Sequence, residues 1–153
     1  MNLAPLDLTR PPPETGHSRC YRRTNQMSRT FLLIGALNGF LAVALGAFGA
    51  HALRLRIPPD LYTVFQTGVQ YHSIHALALL ALGLLALHHP SRVLQWSGWL
   101  MSAGVLLFCG SLYLIALFGY KFLGVVTPFG GVAFLLAWLG LTTEAWRLRP
   151  LSG

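Results

Sequence analysis

Apolar residues along this chain are gathered into four long runs that short polar links separate. The runs cover approximately residues 31–53, 61–87, 93–118 and 123–145. Each reaches the roughly 20 residues that a helix needs to cross about 30 Å of hydrocarbon, at about 1.5 Å per residue. Because lipid offers backbone amides no hydrogen-bond partner, each run is predicted to be a transmembrane helix.

The links carry residues that end or begin helices. Pro58 and Pro59 follow the first run, Asp60 can cap the second helix, and Pro90 follows the second run. Short links make sequential helices antiparallel. The pattern therefore predicts an all-α membrane protein, a four-transmembrane-helix antiparallel bundle over residues 29–147.

Both ends of the chain differ from this pattern. Residues 1–28 are polar, basic and rich in proline, and we expect a disordered N-terminal tail. Residues 148–153 form a short C-terminal tail. The basic start and the A-x-A pattern at residues 50–52 also suggest a cleaved signal peptide, but the apolar stretch exceeds the usual 7–15 residues. Cleavage is therefore the less favoured alternative.

Composition strengthens the membrane prediction. Hydrophobic residues make up 54% of the chain and charged residues only 10%, against about 25% charged residues in soluble domains. The net charge of +7 raises the question of nucleic acid. The basic residues lie in the tail and the links, as the positive-inside rule requires, so the expected partner is the lipid bilayer and not nucleic acid.

The distribution of basic residues also predicts the orientation. An even number of crossings places both termini on one side, where eight basic residues lie against three on the other. The eight are Arg10, Arg19, Arg22, Arg23, Arg29, Arg92, Arg147 and Arg149, and the three are Arg54, Arg56 and Lys121. We expect a bacterial inner membrane with both termini in the cytoplasm. Without residues 1–26 the margin is four to three.

Small residues form a stripe along the first predicted helix. They recur at steps of three and four, which keeps them on one face: Gly35, Gly39, Ala42, Gly46 and Gly49. Small residues let membrane helices approach closely. Packing within the bundle is the favoured interpretation, and formation of a homo-oligomer is the alternative.

Polar residues in the second predicted helix are the main candidates for chemistry. Together with the end of the first helix they suggest an intramembrane site of His51, Gln66, Gln70, Tyr71 and His75. Polar groups at membrane depth need partners and are functional candidates. Hydrogen bonding between helices is the favoured explanation, ahead of a ligand or ion site and of a proton relay. His72 and His75 lie one turn apart on a different face from the two glutamines.

Further polar positions lie in the other helices. Asn38 is expected to bond to a neighbouring helix, Ser111 and Tyr113 close the third helix, and Thr127 and Pro128 open the fourth. Tyr113 suits an interfacial position, and Pro128 removes an amide donor.

The sequence contains no catalytic motif, no paired carboxylates and no metal-ligand spacing. Cys20 and Cys109 lie at different depths and predict neither a disulfide nor a zinc site. The spans carry no acidic residue except at their margins, where Asp60 precedes the second and Glu144 lies at the end of the fourth. The lack of a carboxylate deeper in the membrane weakens the hypothesis of a proton-driven exporter. We expect no enzyme, metal or cofactor. A haem ligated by histidines is a weaker alternative.

Four ordered motifs resemble those of the YgdD-like family of small inner-membrane proteins, domain of unknown function 423, which has a related eukaryotic transmembrane group. They are GAFGAHAL at residues 46–53, FQTGVQY at 65–71 with HAL at 75–77, GSLY at 110–113 and TPFGG at 127–131. The resemblance spans about residues 27–147.

The resemblance implies a multi-pass membrane protein without an established activity. It implies motif positions at His51, Gln70, Tyr71, His75, Ser111, Tyr113, Thr127 and Pro128. His72 departs from the family pattern. Similar proteins begin just before the first helix, so Met27 is a candidate start. An intact mass beginning at Met27 would support that hypothesis.

The expected function is that of a non-enzymatic accessory or assembly component, with a membrane-protein partner. The alternative is small-molecule or ion binding or transport at the polar site of the second helix.

Overall fold

Four long helices, joined by short links, make up the computed structural model, which describes the backbone of residues 16–147 and the side chains from Gln26 onward. The described part of the chain contains no strand. Helix α1 is Gly16–Phe48 and ends in a π-helical turn, Gly49–Leu53. Helix α2 is Pro59–His88, α3 is Arg92–Phe118, and α4 is Lys121–Arg147. All four have the length and apolar composition needed to cross a membrane.

The predicted bounds of α2 and α3 agree with the structure to within two residues. Two features inside the spans were not predicted. A π-helical turn, Val105–Cys109, interrupts α3, and α4 opens with a 3₁₀ turn, Lys121–Val125, before its α-helix begins at Thr127.

The predicted disordered tail is wrong for residues 16–28, which lie in α1. Extending an existing helix adds one hydrogen bond per residue and avoids the cost of nucleation, so a polar segment without proline can continue a membrane helix. The remaining tail residues, 1–15, and the predicted C-terminal tail, 148–153, lie outside the described residues.

The links begin and end the helices by three different means. Pro59 is the first residue of α2, where a missing amide hydrogen is harmless. The hydroxyl of Ser91 caps α3 by accepting a hydrogen bond from the Leu94 amide at 3.1 Å. Gly119 ends α3 with a φ of 71°, a left-handed conformation that glycine adopts readily. The expectation that Asp60 caps α2 is wrong: Asp60 lies in the first turn, where its charge complements the helix dipole.

Helices α2 and α3 form the centre of the bundle. Helix α1 packs along α2, and α4 packs along α3. A cluster of fully buried side chains from α1, α2 and α3 lies where these helices meet, and includes Phe31, Leu79, Leu82, Leu94 and Met101.

The small-residue stripe of α1 faces α2 along most of its length. A methyl group added at Gly35 would lie 2.9 Å from the backbone nitrogen of Leu80, and one at Gly49 would lie 2.6 Å from the Phe65 ring. Ala42 is buried, and Gly46 lies near Val69. Gly39 differs, since nothing in the described chain lies within 4 Å of an added methyl group. The stripe thus serves packing inside the bundle at four of its five positions.

Large apolar side chains cover the outer faces. Leu33 and Val43 on α1 and Leu135 on α4 are each more than 70% exposed, which a bilayer tolerates because its core is as apolar as they are. The same sequence in water would expose a large apolar surface.

Candidate functional site

His72 of α2 connects three helices in the middle of the bundle. Its Nε2 lies 2.9 Å from Oδ1 of Asn38 on α1, and its Nδ1 lies 3.1 Å from the hydroxyl of Tyr113 on α3. The Asn38 amide group donates to the carbonyl of Ile34 at 2.7 Å, which directs its oxygen towards the histidine. His72 Nε2 therefore donates to Asn38, and Nδ1 of the neutral ring accepts the Tyr113 hydroxyl proton.

Local sequence places these three side chains together. Asn38 lies three residues after Gly35 and four before Ala42, and so shares the face of α1 that packs on α2. On α2, Gly68 lies one turn before His72, and a methyl group at Gly68 would come within 2.9 Å of the Tyr113 ring. The missing side chain of Gly68 thus makes room for the tyrosine that reaches His72.

His75 connects α2 with α4 by a second hydrogen bond. Its Nδ1 lies 2.7 Å from the carbonyl oxygen of Tyr71, one turn earlier, and its Nε2 lies 3.2 Å from the indole nitrogen of Trp138. A carbonyl can only accept and an indole N–H can only donate, so these partners assign the proton of His75 to Nδ1. The ring also stacks on Phe134 with centroids 3.5 Å apart.

A third polar contact connects α3 and α4 near their shared link. The hydroxyl oxygens of Ser111 and Thr127 lie 2.7 Å apart, so one hydroxyl donates to the other, and the hydroxyl that accepts can donate to a backbone carbonyl of its own segment. Pro128 occupies the second position of the α-helical part of α4, where its missing amide hydrogen leaves no intrahelical bond unmade. These motif positions join α3 to α4.

The structure separates the five residues of the predicted intramembrane site. Tyr71 and His75 are neighbours, with stacked rings 6.0 Å apart. Gln66 instead donates to the hydroxyl of Tyr62 on its own helix at 2.7 Å. His51 is exposed in the π-helical turn at the end of α1, and Gln70 is exposed on α2. Whether any of them binds a ligand stays a prediction.

Sequence reasoning missed two members of the polar network, His72 and Trp138. One signal in the sequence could have found His72: it lies four residues after Gly68 and four before Ala76, and so shares a helix face with these two small residues. The structure buries all three. Nothing in the sequence around Trp138 predicts that its indole reaches a histidine on another helix.

The two buried histidines already use both ring nitrogens in hydrogen bonds. A haem iron would need one of these four nitrogens to lose its partner. Among residues 26–147, no three side chains of the types that bind metals come together. The geometry is that of side chains bonded to each other across helix interfaces.

Comparison with known proteins agrees with a membrane protein. The family model described as "Protein of unknown function (DUF423)" matches residues 45–131. The UPF0382 membrane protein YwdK of Bacillus subtilis is 46% identical over 119 residues, covering 76% of this chain and 96% of the relative. The UPF0382 inner membrane protein YgdD of Escherichia coli is 40% identical over 122 residues, covering 80% and 93%. No solved structure matches.

A third relative, the UPF0382 membrane protein SAB0533 of Staphylococcus aureus, is 42% identical over 119 residues, covering 78% of this chain and 97% of the relative. The resemblance stated from the motifs is confirmed. With four helices able to span lipid and relatives named as membrane proteins, this multi-pass membrane protein belongs to the DUF423 family.

Proposed function

We propose that this protein is a non-enzymatic accessory or assembly component of a larger membrane complex and that it acts through its outer faces. One observation supports the proposal above others: His72 uses both ring nitrogens to bond α1 and α3. A buried imidazole committed to two neighbouring helices serves the cohesion of the bundle. It has no free nitrogen for a substrate.

Two further interior contacts have the same character. His75 is bonded to Trp138, and Ser111 lies against Thr127, so each pair joins two helices. With the interior polar groups engaged in this way, the surface that remains for recognition is the outside of the bundle. That surface is apolar on α1 and α4, which suits contact with another membrane protein.

Photo-crosslinking in intact membranes tests this proposal. A photoreactive residue at Leu37 of α1, 59% exposed, or at Leu135 of α4, 71% exposed, should yield a discrete adduct with a protein partner. The same residue at Leu79, which is fully buried, is the matched control and should react only within the chain. If both outer positions label lipid alone and the protein purifies without a partner after mild solubilisation, the accessory role is refuted.

We also propose that the protein lies in the inner membrane with both termini in the cytoplasm. Arg29, Arg92 and Arg147 belong to the end of the bundle that carries the termini. The opposite end carries Arg54, Arg56 and Lys121, so these residues alone balance at three on each side. The five further arginines, at positions 10, 19, 22, 23 and 149, lie in the sequence near the termini and support the cytoplasmic orientation of that end. A reporter enzyme active only outside the cytoplasm, fused after residue 153 or inserted in residues 54–58, should be active only in the second position. Activity only in the first position would reverse the orientation.

A second candidate function is binding or transport of a small molecule beside Tyr71 and His75. Its support is that the Tyr71 ring, 40% exposed, extends the stack of His75 and Phe134 towards the outside of the bundle. An aromatic surface that begins in the core and reaches the outside of the bundle offers a planar ligand a contact. Alanine substitutions at Gln70 and His75 separate this candidate from a structural role.

A further inference from the structure

One side of α2 faces outward along the middle of the helix. Helices α1 and α3 cover the opposite side, where His72 bonds both of them. Steps of three and four residues keep the outward positions on one side, and their side chains are exposed or partly exposed. These residues form the outer face of α2: Thr63, Thr67, Gln70, Ile74, Leu77 and Ala81.

Gln70, near the centre of this outer face, lies at the depth of the lipid hydrocarbon. Its neighbour Val69 packs on α1 beside Gly46, where an added methyl group would lie 3.4 Å from the Val69 side chain. Gly46 belongs to the stretch of α1 between Arg29 and Arg54 that carries no charged residue. At about 1.5 Å per residue, Gly46 lies about 12 Å from Arg54 and about 25 Å from Arg29. The Gln70 side chain is therefore well inside the membrane.

The Gln70 amide group has no hydrogen-bond partner in the part of the chain that the structure describes. The hydroxyls of Thr63 and Thr67, on the same face, each donate to a backbone carbonyl one turn earlier. Gln66 donates to a tyrosine of its own helix. Lipid tails offer neither a donor nor an acceptor, so an unpaired amide among them is costly. Gln70 therefore requires a partner from outside the chain.

A second copy of this chain offers a matching partner. A primary amide has two N–H donors and an acceptor oxygen, so two amides can pair with each other through two hydrogen bonds. Copies of a membrane protein insert in the same orientation, so a two-fold axis between them runs along the membrane normal. The two Gln70 side chains then meet at the same depth. A different protein would need a polar residue at that particular depth.

We propose that this protein forms a two-fold dimer in the membrane through the outer face of α2, with the two Gln70 amides hydrogen-bonded to each other. Thr67 and Ile74, one turn to either side of Gln70, pack against their counterparts. The small side chains of Thr63 and Ala81 let the two helices approach closely. The outer faces of α1 and α4 stay open in this dimer, so it does not depend on the accessory role proposed for them.

Förster transfer in lipid vesicles tests the dimer. Full-length chains carry a donor or an acceptor at the C-terminus, and transfer is followed as the protein-to-lipid ratio is lowered. Gln70→Met keeps the length of the side chain and removes the amide, and the protomer should stay folded because this amide bonds nothing within it. Loss of two interhelical hydrogen bonds should raise the dissociation constant of the dimer about tenfold.

Gln66→Met is the matched control, because its amide is engaged within its own helix. It should leave the dissociation constant unchanged. Circular dichroism confirms that both variants keep their helix content. Transfer no greater than that of randomly distributed chains, or the same dissociation constant for Gln70→Met and the unaltered protein, would overturn the proposal.

Cysteine crosslinking in native membranes locates the interface independently. In a Cys20→Ser background the remaining cysteine, Cys109, is buried. Thr67→Cys and Ile74→Cys should each give a disulfide-linked homodimer on oxidation, whereas Leu135→Cys, on the exposed face of α4, should not. A disulfide adduct with a different protein in place of the homodimer, or a homodimer from Leu135→Cys alone, would refute this interface.

Discussion

Removing the Tyr113 hydroxyl tests whether the polar network holds the bundle together. Tyr113→Phe keeps the ring, which packs against Phe65 with centroids 5.1 Å apart, and removes the hydroxyl 3.1 Å from His72 Nδ1. Hydrogen bonds between membrane helices stabilise by about 0.6 kcal/mol on average and by up to about 1.7 kcal/mol. Because the substitution leaves a buried imidazole nitrogen without a donor, we expect unfolding to become easier by about 1–2 kcal/mol.

His72→Leu should have a larger effect, because it removes two interhelical bonds and leaves both partners unsatisfied. We expect a loss of about 2–3 kcal/mol. In the double variant the two losses should not add, with a coupling of about 0.5–1.5 kcal/mol between His72 and Tyr113. The free energy of unfolding can be measured in mixed micelles as the fraction of denaturing detergent is raised, with helix content followed by circular dichroism.

Ser73→Ala provides the matched control. The Ser73 hydroxyl donates to the carbonyl of Val69 on its own helix at 2.9 Å, so its loss breaks no contact between helices. We expect a change below about 0.5 kcal/mol. If Tyr113→Phe has no larger effect than this control, or if the His72 and Tyr113 losses add to within about 0.3 kcal/mol, the network does not stabilise the bundle.

Further substitutions test other contacts. Gly130→Ala should destabilise the bundle by about 1–3 kcal/mol in the same unfolding assay, because the new methyl group meets the backbone of α3. Gly39→Ala is the control and should be tolerated, because the space around this position is open. Trp138→Phe removes the donor to His75 Nε2 and should lower the free energy of unfolding by about 1 kcal/mol. Unchanged stability would show that this hydrogen bond adds nothing. Gln70→Ala should leave stability unchanged, because the Gln70 side chain is exposed. If Gln70→Ala and His75→Ala both stay folded but lose a small molecule that copurifies with the unaltered protein, the ligand-binding alternative is supported.

The sequence determined how many times the chain crosses the membrane and approximately where. Residues 61–87 and 93–118 fit the observed helices to within two residues, because each backbone amide inside lipid must bond within its own segment. That requirement is local, so an apolar run of sufficient length is enough to predict it. The tail was harder: residues 16–28 lack apolar periodicity, yet the helix beyond them extends backwards into this segment.

Only the tertiary structure decided which polar groups meet. His72 bonds Asn38, 34 residues away, and His75 bonds Trp138, 63 residues away. Such contacts depend on the rotation and depth of each helix. Side-chain packing between helices sets both, and the identity of a single residue does not reveal them. The same reason explains Glu144: its position at the end of an apolar run suggests an exposed flank, but the rotation of α4 turns it towards α3 and buries it.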